Sequence, residues 1–413
     1  MTTLLELEYY PIISKSRISE FIKKINENKS HWGAPFFMDV YSHVNLEELH
    51  KVCDPVLEYP PDNIIVLGTG GSIQTMMALE GLTQCSFIPV TSSRPRELSA
   101  ILELCDPEVS LVLPISRGGK TLDVNSTLEL FSSFPMIGLS SQGPMFEYLS
   151  KKKIPILPVP DLSGRFAASV SNVALVPAYL AEIDIDKFLR ELDEAYNLYK
   201  DLENTDKNIA LQFASYLYTQ YQNGVRNCFI MPYSSYLECA AGLFVQEISE
   251  SSGKQEQGMM GTKQEAPLCQ HSVLELLLGG SKGHVLPFLW TTRSEPQDVK
   301  INSPEFGLKK QSALTIINHQ ADATFQALLT QKVPSAMLNL SNYSISSIAQ
   351  LIAFIQSTIY YFCLLLDVNW ENNPTVNMGK QICNTAIQKS LSEKQRKAER
   401  KETAAKQFSD NIT

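Results

Sequence analysis

The sequence contains no Cys-x-x-Cys pair. Its eight cysteines, Cys53, Cys85, Cys105, Cys228, Cys239, Cys269, Cys363 and Cys383, stand singly and mostly in apolar runs. The spacing of a structural zinc site is therefore missing, and they read as reduced thiols of a cytosolic protein. Positive charge is not in excess either. A net charge of -9 over 413 residues argues against a nucleic-acid partner, because a phosphate backbone is held by a field of opposite sign. Any anionic ligand must meet a locally positive site. The N-terminus, Met1-Thr2-Thr3-Leu4-Leu5-Glu6-Leu7-Glu8, lacks both a basic region and a secretory apolar core, so a cytoplasmic location is expected. No uninterrupted apolar run reaches spanning length. The longest candidate, Ile345–Leu366, is broken by Gln350, Gln356, Ser357 and Thr358; it predicts a buried helix, in the core or at a subunit interface, and no membrane partner.

With 44% hydrophobic and 19% charged residues, the chain can form two ordinary globular domains. After about sixty residues without clear alternation of elements, a regular rhythm begins at Asn63. Ile64-Ile65-Val66-Leu67, Ser86-Phe87-Ile88-Pro89-Val90, residues 109–115, residues 135–139 and residues 154–159 are apolar runs, separated by helical segments. Runs apolar throughout predict strands buried on both faces, hence a parallel sheet flanked by helices. Residues 184–223 read as a helical bridge. A second cycle starts at Asn227-Cys228-Phe229-Ile230-Met231, takes in a helix from about Ser235, and continues through residues 284–290, Ala313-Leu314-Thr315-Ile316-Ile317, a helix from about Asp322, and Ala336-Met337-Leu338-Asn339-Leu340. The charged tail from Lys389 reads as a solvated helix or frayed end. The expected organisation is an N-terminal extension (1–62), a first α/β/α domain (63–183), the bridge (184–223), a second α/β/α domain (224–366) and a C-terminal helical tail (367–413) carrying Lys380.

In such sheets ligands bind beyond the carboxyl ends of strands. Gly68-Thr69-Gly70-Gly71-Ser72 brings backbone amides and the Ser72 hydroxyl to a helix start, where an anion is stabilised, although a bare structural turn fits equally well. Ile73 stands where a dinucleotide fingerprint would have its third glycine. Ser116-Arg117-Gly118-Gly119-Lys120-Thr121 combines two hydroxyls, two cations and two glycines as a phosphate cradle. It also matches the end of a nucleotide-binding P-loop, but Pro114 occupies the first glycine position. Asp161-Leu162-Ser163-Gly164-Arg165 sets an arginine at a helix start, where a fixed cation can face an anionic intermediate. On the helix from Ser235, Gln246 and Glu250 share one face. Glu250 lies in the last turn before Gly253, beside the negative end of the helix dipole, an environment suited to a proton-accepting group. Gln270-His271-Ser272 opens another helix, and Gly379-Lys380 lies in a late one.

Taken in order, Gly-Gly-Ser, the Ser/Thr cradle, Gly-Arg, Gln-x-x-x-Glu-Ser-x-Gly-Lys, Gln-His-Ser and a final Gly-Lys resemble the glucose-6-phosphate isomerase family, in particular its short bacterial form. The resemblance covers residues 64–386. It implies an α/β fold of two sugar-isomerase (SIS) α/β/α sandwich domains with parallel sheets, with helical N- and C-terminal extensions. It further implies a cytoplasmic homodimer with shared active sites, acting on a phosphorylated hexose in glycolysis and gluconeogenesis without metal or other cofactor. By the same resemblance Glu250 is the base that moves a proton between C1 and C2, and Arg165 stabilises the cis-enediolate. His271 and Lys380 assist ring opening, Gln246 positions substrate, and Ser72, Ser116 and Thr121 hold the sugar phosphate, with Gly71, Arg117 and Lys120 expected as further substrate-binding residues. The sequence departs from the family pattern at Arg117, Gly118 and Lys120 in the cradle, at Leu268-Cys269 before Gln270, and at Asn373. Those departures keep a second expectation open, a sugar-phosphate-binding protein with weak or lost catalysis. A P-loop nucleotidase using Lys120 is a third reading.

Overall fold

The computed structural model describes residues 3–410. Residues 1–371 form one compact unit and residues 372–413 another. In chain order the first unit opens with β1 (Leu5–Tyr10), α1 (Lys15–Trp32) and α2 (Leu46–Leu57). It continues through β2 (Asn63–Leu67), α3 (Gly71–Met77), β3 (Ser86–Val90), α4 (Pro95–Leu104), β4 (Ser110–Pro114) and α5 (Leu122–Thr127). Then come β5 (Gly138–Leu139), α6 (Gly143–Lys151), β6 (Ile156–Leu157), α7 (Gly164–Ala167), α8 (Asn172–Leu180), α9 (Ile185–Lys200) and α10 (Ile209–Gln222). The later part holds β7 (Asn227–Pro232), α11 (Ser235–Ser252), β8 (Met260–Lys263), α12 (Gln270–Gly279), β9 (Val285–Thr292) and a hairpin of β10 (Lys300–Ser303) and β11 (Leu308–Ser312). It ends with α13 (Ala313–Thr330), β12 (Ser335–Leu340) and α14 (Ile345–Leu366). The second unit contains α15 (Val376–Asp410).

The architecture is α/β with mostly parallel sheets, as the apolar runs predict. β2 lies between β3 and β4, all parallel. Bridges Val112↔Met136 and Ile115↔Leu139 join this sheet to the parallel pair β5 and β6. The register pairs Leu67 with Pro114, so the loops after β2 and β4 leave neighbouring strands at the same edge. The later sheet has the order β1-β12-β9-β7-β8. All its neighbours are parallel except β1, which pairs antiparallel with β12. Ile64, Ile65, Val66, Leu67, Val112 and Leu113 are fully buried, which is why these strands carry no polar face.

Three features differ from the sequence reading. The N-terminal extension is helical in α1 and α2 but begins with a strand, whose alternation in Leu5-Glu6-Leu7-Glu8 suits an edge of the later sheet. Ala313-Leu314-Thr315-Ile316-Ile317, expected as a strand, is the first turn and a half of α13. Ser312 caps it by accepting from the Thr315 amide at 3.0 Å, and Asp298 accepts from the Leu314 amide at 3.1 Å. A five-residue apolar run fits either periodicity, and the cap decides for helix. β8, with the sequence Met-Gly-Thr-Lys, carried too little apolar pattern to be foreseen.

The segment Ile345–Leu366 is a helix long and apolar enough to cross a membrane, and its most apolar window is wholly buried within the protein. It packs against α1, α9, α10 and α11. Its polar residues have internal work: Gln350 accepts from the Leu4 amide at 3.0 Å, and Gln356 joins a buried network described below. The expectation of a buried helix therefore holds.

Candidate active site

α11 puts Gln246 and Glu250 on one face, and the Gln246 amide nitrogen donates to Glu250 Oε2 at 3.1 Å. Glu250 Oε1 lies 3.2 Å from Arg165 Nη1; the Arg165 side chain is only 3% exposed and that of Glu250 23%. Arg165 comes from α7, immediately after the loop that follows β6. Its Nε donates to Ser251 Oγ at 2.7 Å, and its Nη2 donates to the carbonyls of Trp370 and Glu371 at 2.8 and 2.9 Å. A cation gripped on all sides in this way is held to one orientation, and it is aimed at the Glu250 carboxylate.

The loop after β2 closes onto the same group. Gly70 has φ +65°, a conformation that favours glycine, and a Cβ there would stand 2.8 Å from the Gln246 amide nitrogen. At Gly71 a Cβ would lie 2.4 Å from Arg165 Cα. The two glycines thus let the loop carrying Ser72 come into backbone contact with Arg165 and side-chain contact with Gln246. Three stretches far apart in sequence meet at one carboxylate.

In the loop after β4, Ser116 Oγ and Thr121 Oγ1 are 2.9 Å apart, and the Thr121 amide donates to Ser116 Oγ at 3.4 Å. Lys120 is exposed. Arg117 is turned away from the hydroxyl pair: its Nε is 3.3 Å from Asp161 Oδ1, and its Nη1 donates to the Leu162 carbonyl. It therefore ties this loop to the one leading into Arg165.

His271 is in the first turn of α12 and lines a cavity of about 630 Å³ with Glu238, Glu265, Glu295 and Asp298; Gln246, Glu250 and Arg165 are not among the lining residues. Its neighbour Gln270 donates to Tyr233 Oη and, at 2.6 Å, to Thr324 Oγ1, which fastens α12 to α13 and the end of β7. Lys380 lies on α15 in the 372–413 unit and is exposed.

Sequence reasoning missed several groups around Glu250. Ser251 is the partner of Arg165 Nε. Lys254 donates to the carbonyls of Glu250 and Ser251 at 3.1 and 2.6 Å, so a cation caps the C-terminal end of α11. Burial pushes that lysine down to about 8. Glu247, one turn before Ser251, is fully buried, and burial pushes its carboxyl up to about 8. The motif Glu-Ser-x-Gly-Lys contains Ser251 and Lys254, so they were within reach of a pattern-based reading; nothing in the pattern marks Glu247.

No protein-family model matches the chain. It is 27% identical over 343 residues to glucose-6-phosphate isomerase of Methanocaldococcus jannaschii, a match spanning 78% of this chain and 83% of that one. It is 23% identical over 397 residues to glucose-6-phosphate isomerase of Campylobacter jejuni, spanning 88% and 95%. Along most of its length the chain is thus similar to glucose-6-phosphate isomerases. The fold agrees with a solved glucose-6-phosphate isomerase from Chlamydia trachomatis at a TM-score of 0.77 and 17% identity, over 94% of this chain and 89% of that one. Alongside that similarity, this chain combines a buried Arg165 paired with Glu250 and a 116–121 loop whose Arg117 and Lys120 are exposed.

Proposed function

We propose that this chain interconverts glucose 6-phosphate and fructose 6-phosphate by ring opening and proton transfer through a cis-enediolate. The observation that carries the reading is the carboxylate of Glu250 held between the Gln246 amide and a buried Arg165 guanidinium. Moving a proton between C1 and C2 requires a base that can reach both carbons and a fixed positive charge for the oxyanion that forms. Glu250 takes the proton from one carbon and returns it to the other. Arg165, its geometry set before substrate arrives, faces the enediolate oxygens, and Gln246 keeps the carboxylate oriented. Ser72, Ser116 and Thr121, with the Gly71 loop and Lys120, hold the phosphate; Arg117 braces the loop and adds charge. The reaction uses these side chains and no cofactor.

His271 and Lys380 assist ring opening by exchanging a proton with the ring oxygen. Because His271 lines a cavity apart from the Glu250 group, a homodimer in which His271 of the partner subunit completes the site accounts for that role. The enzyme works in the cytoplasm. A coupled assay with purified protein tests the reading: turnover of fructose 6-phosphate is expected, and Glu250→Gln is expected to lose it. Absence of turnover in the unsubstituted protein would defeat the proposal.

A further inference from the structure

Behind the Glu250–Arg165 pair lies a buried polar cluster that the reaction does not touch. Gln356, on α14, is its junction. The Gln356 amide nitrogen donates to the backbone carbonyl of Arg165 at 3.1 Å, to that of Phe166 at 3.4 Å, and to Glu247 Oε1 at 3.0 Å. Its Oε1 accepts from Ser169 Oγ at 3.0 Å and from Tyr196 Oη. Turning the amide over would set its oxygen against two carbonyls, neither of which can donate, so one orientation is preferred. Glu247 and Gln356 are both fully buried. Buried polar groups are costly unless partnered, yet Glu247 Oε2 has no hydrogen-bond partner. A core position between α11 and α14 would be more cheaply filled by a leucine.

Helix spacing connects this cluster to the site. Glu247 and Ser251 are four residues apart on α11, so they share the face turned toward α14, while Gln246 and Glu250 share the adjacent face. Ser251 holds the guanidinium of Arg165 from one side, and Gln356 holds its backbone from below. Resting on the isomerase reading above, we propose that Glu247 and Gln356 are positioning residues for that reaction: Glu247 orients the Gln356 amide, and Gln356 seats Arg165 so that its guanidinium stays beside Glu250.

The protonation of Glu247 then matters to turnover. Burial raises its carboxyl to about 8, so near neutrality it is a neutral acid and Arg165 faces the charge of Glu250. The other titratable groups around it are Arg165 from α7, Glu250 and Lys254 at the end of α11, Tyr196 from α9 and Cys363 from α14. Burial raises Tyr196 and Cys363 as well, which keeps both neutral over the same range, whereas Lys254, pushed down to about 8, loses its charge there too. As pH rises through about 8, ionisation of Glu247 places a second negative charge near Arg165 and weakens the field offered to the enediolate.

The test compares the full-length protein with Glu247→Leu and Glu247→Gln in steady-state isomerase assays across neutral and alkaline pH. Glu247→Leu is expected to lower kcat on the order of 10–100-fold with KM changed little, as when a supporting residue behind a reactive group is lost. Glu247→Gln keeps an acceptor for the Gln356 amide; it is expected to recover most of kcat and to show a smaller fall in kcat above pH 8 than the unsubstituted enzyme, the remainder following Lys254, which titrates over the same range. An unchanged kcat in Glu247→Leu would overturn the proposal. If that variant does not fold, an unchanged kcat in Gln356→Met, which removes the same junction from the other side, would overturn it instead. The two readings fail separately. No turnover in the unsubstituted protein defeats the isomerase assignment, whereas a crystal structure of Glu247→Leu with Arg165 unmoved beside Glu250 defeats the positioning pair.

Discussion

Two arginines near the proposed site are built in opposite ways. Arg165 has 3% of its side chain exposed and is gripped by Ser251, Glu250 and the carbonyls of Trp370 and Glu371. Arg117 is 46% exposed and pairs with Asp161, which is itself 86% exposed. A cation held by directed hydrogen bonds in a desolvated setting acts at full strength and without reorganisation; an exposed ion pair is screened and mobile. On the proposed function, rate is expected to depend on the Arg165 region and affinity on the 116–121 loop.

The largest effect is expected at the base. Glu250→Gln should lower kcat by roughly 10²–10⁴-fold, the usual range for losing general acid–base help; steady-state kinetics would reveal it as a loss in kcat and kcat/KM together. Arg165→Lys comes next, at about 10²–10³-fold in kcat. It keeps the charge but cannot satisfy Ser251, Glu250 and the two carbonyls at once. Near-normal activity in this variant would erase the contrast between the two arginines. Gly71→Ala adds a methyl 2.4 Å from Arg165 Cα, forcing backbone to move. About 1–3 kcal/mol of stability should be lost, measurable by thermal or denaturant unfolding, with a smaller fall in kcat.

The opposite region should respond in KM. Ser116→Ala or Thr121→Ala breaks the 2.9 Å hydroxyl pair and should raise KM about 10-fold with kcat nearly intact, since one hydrogen bond contributes about 1–1.5 kcal/mol. The smallest effect belongs to Arg117→Ala, whose exposed pair with Asp161 is worth about 0–1 kcal/mol. A KM change of only a few-fold is expected. A large kcat loss there would show that the strap between the 116–121 loop and the Arg165 loop has a catalytic part.

How much of this was readable beforehand follows from sequence distance. Gln246 and Glu250 meet through helical spacing alone, and Gly70-Gly71-Ser72 announces itself as a turn after a strand, so both were legible in the chain. The contacts that fix Arg165 were not: Ser251 is 86 residues away, and Trp370 is 205 away. Gln356 reaches back 191 residues to the Arg165 carbonyl, and as an isolated glutamine it read only as an interruption in an apolar run. Arg117 read as an anion contact because its loop is rich in cations and hydroxyls; its seat on Asp161 depends on the fold bringing two strand ends together. The same limit applies to Ala313-Leu314-Thr315-Ile316-Ile317, where local pattern was ambiguous and a capping serine settled the outcome.

The central claim is that Glu250 shuttles a proton between adjacent carbons of a hexose phosphate. Incubation of fructose 6-phosphate with the protein in deuterated water, followed by proton NMR, tests it most directly. The account predicts glucose 6-phosphate carrying deuterium at C2 with the unsubstituted protein, and exchange lowered by orders of magnitude with Glu250→Gln. Product formation and exchange at an unchanged rate in Glu250→Gln would contradict it.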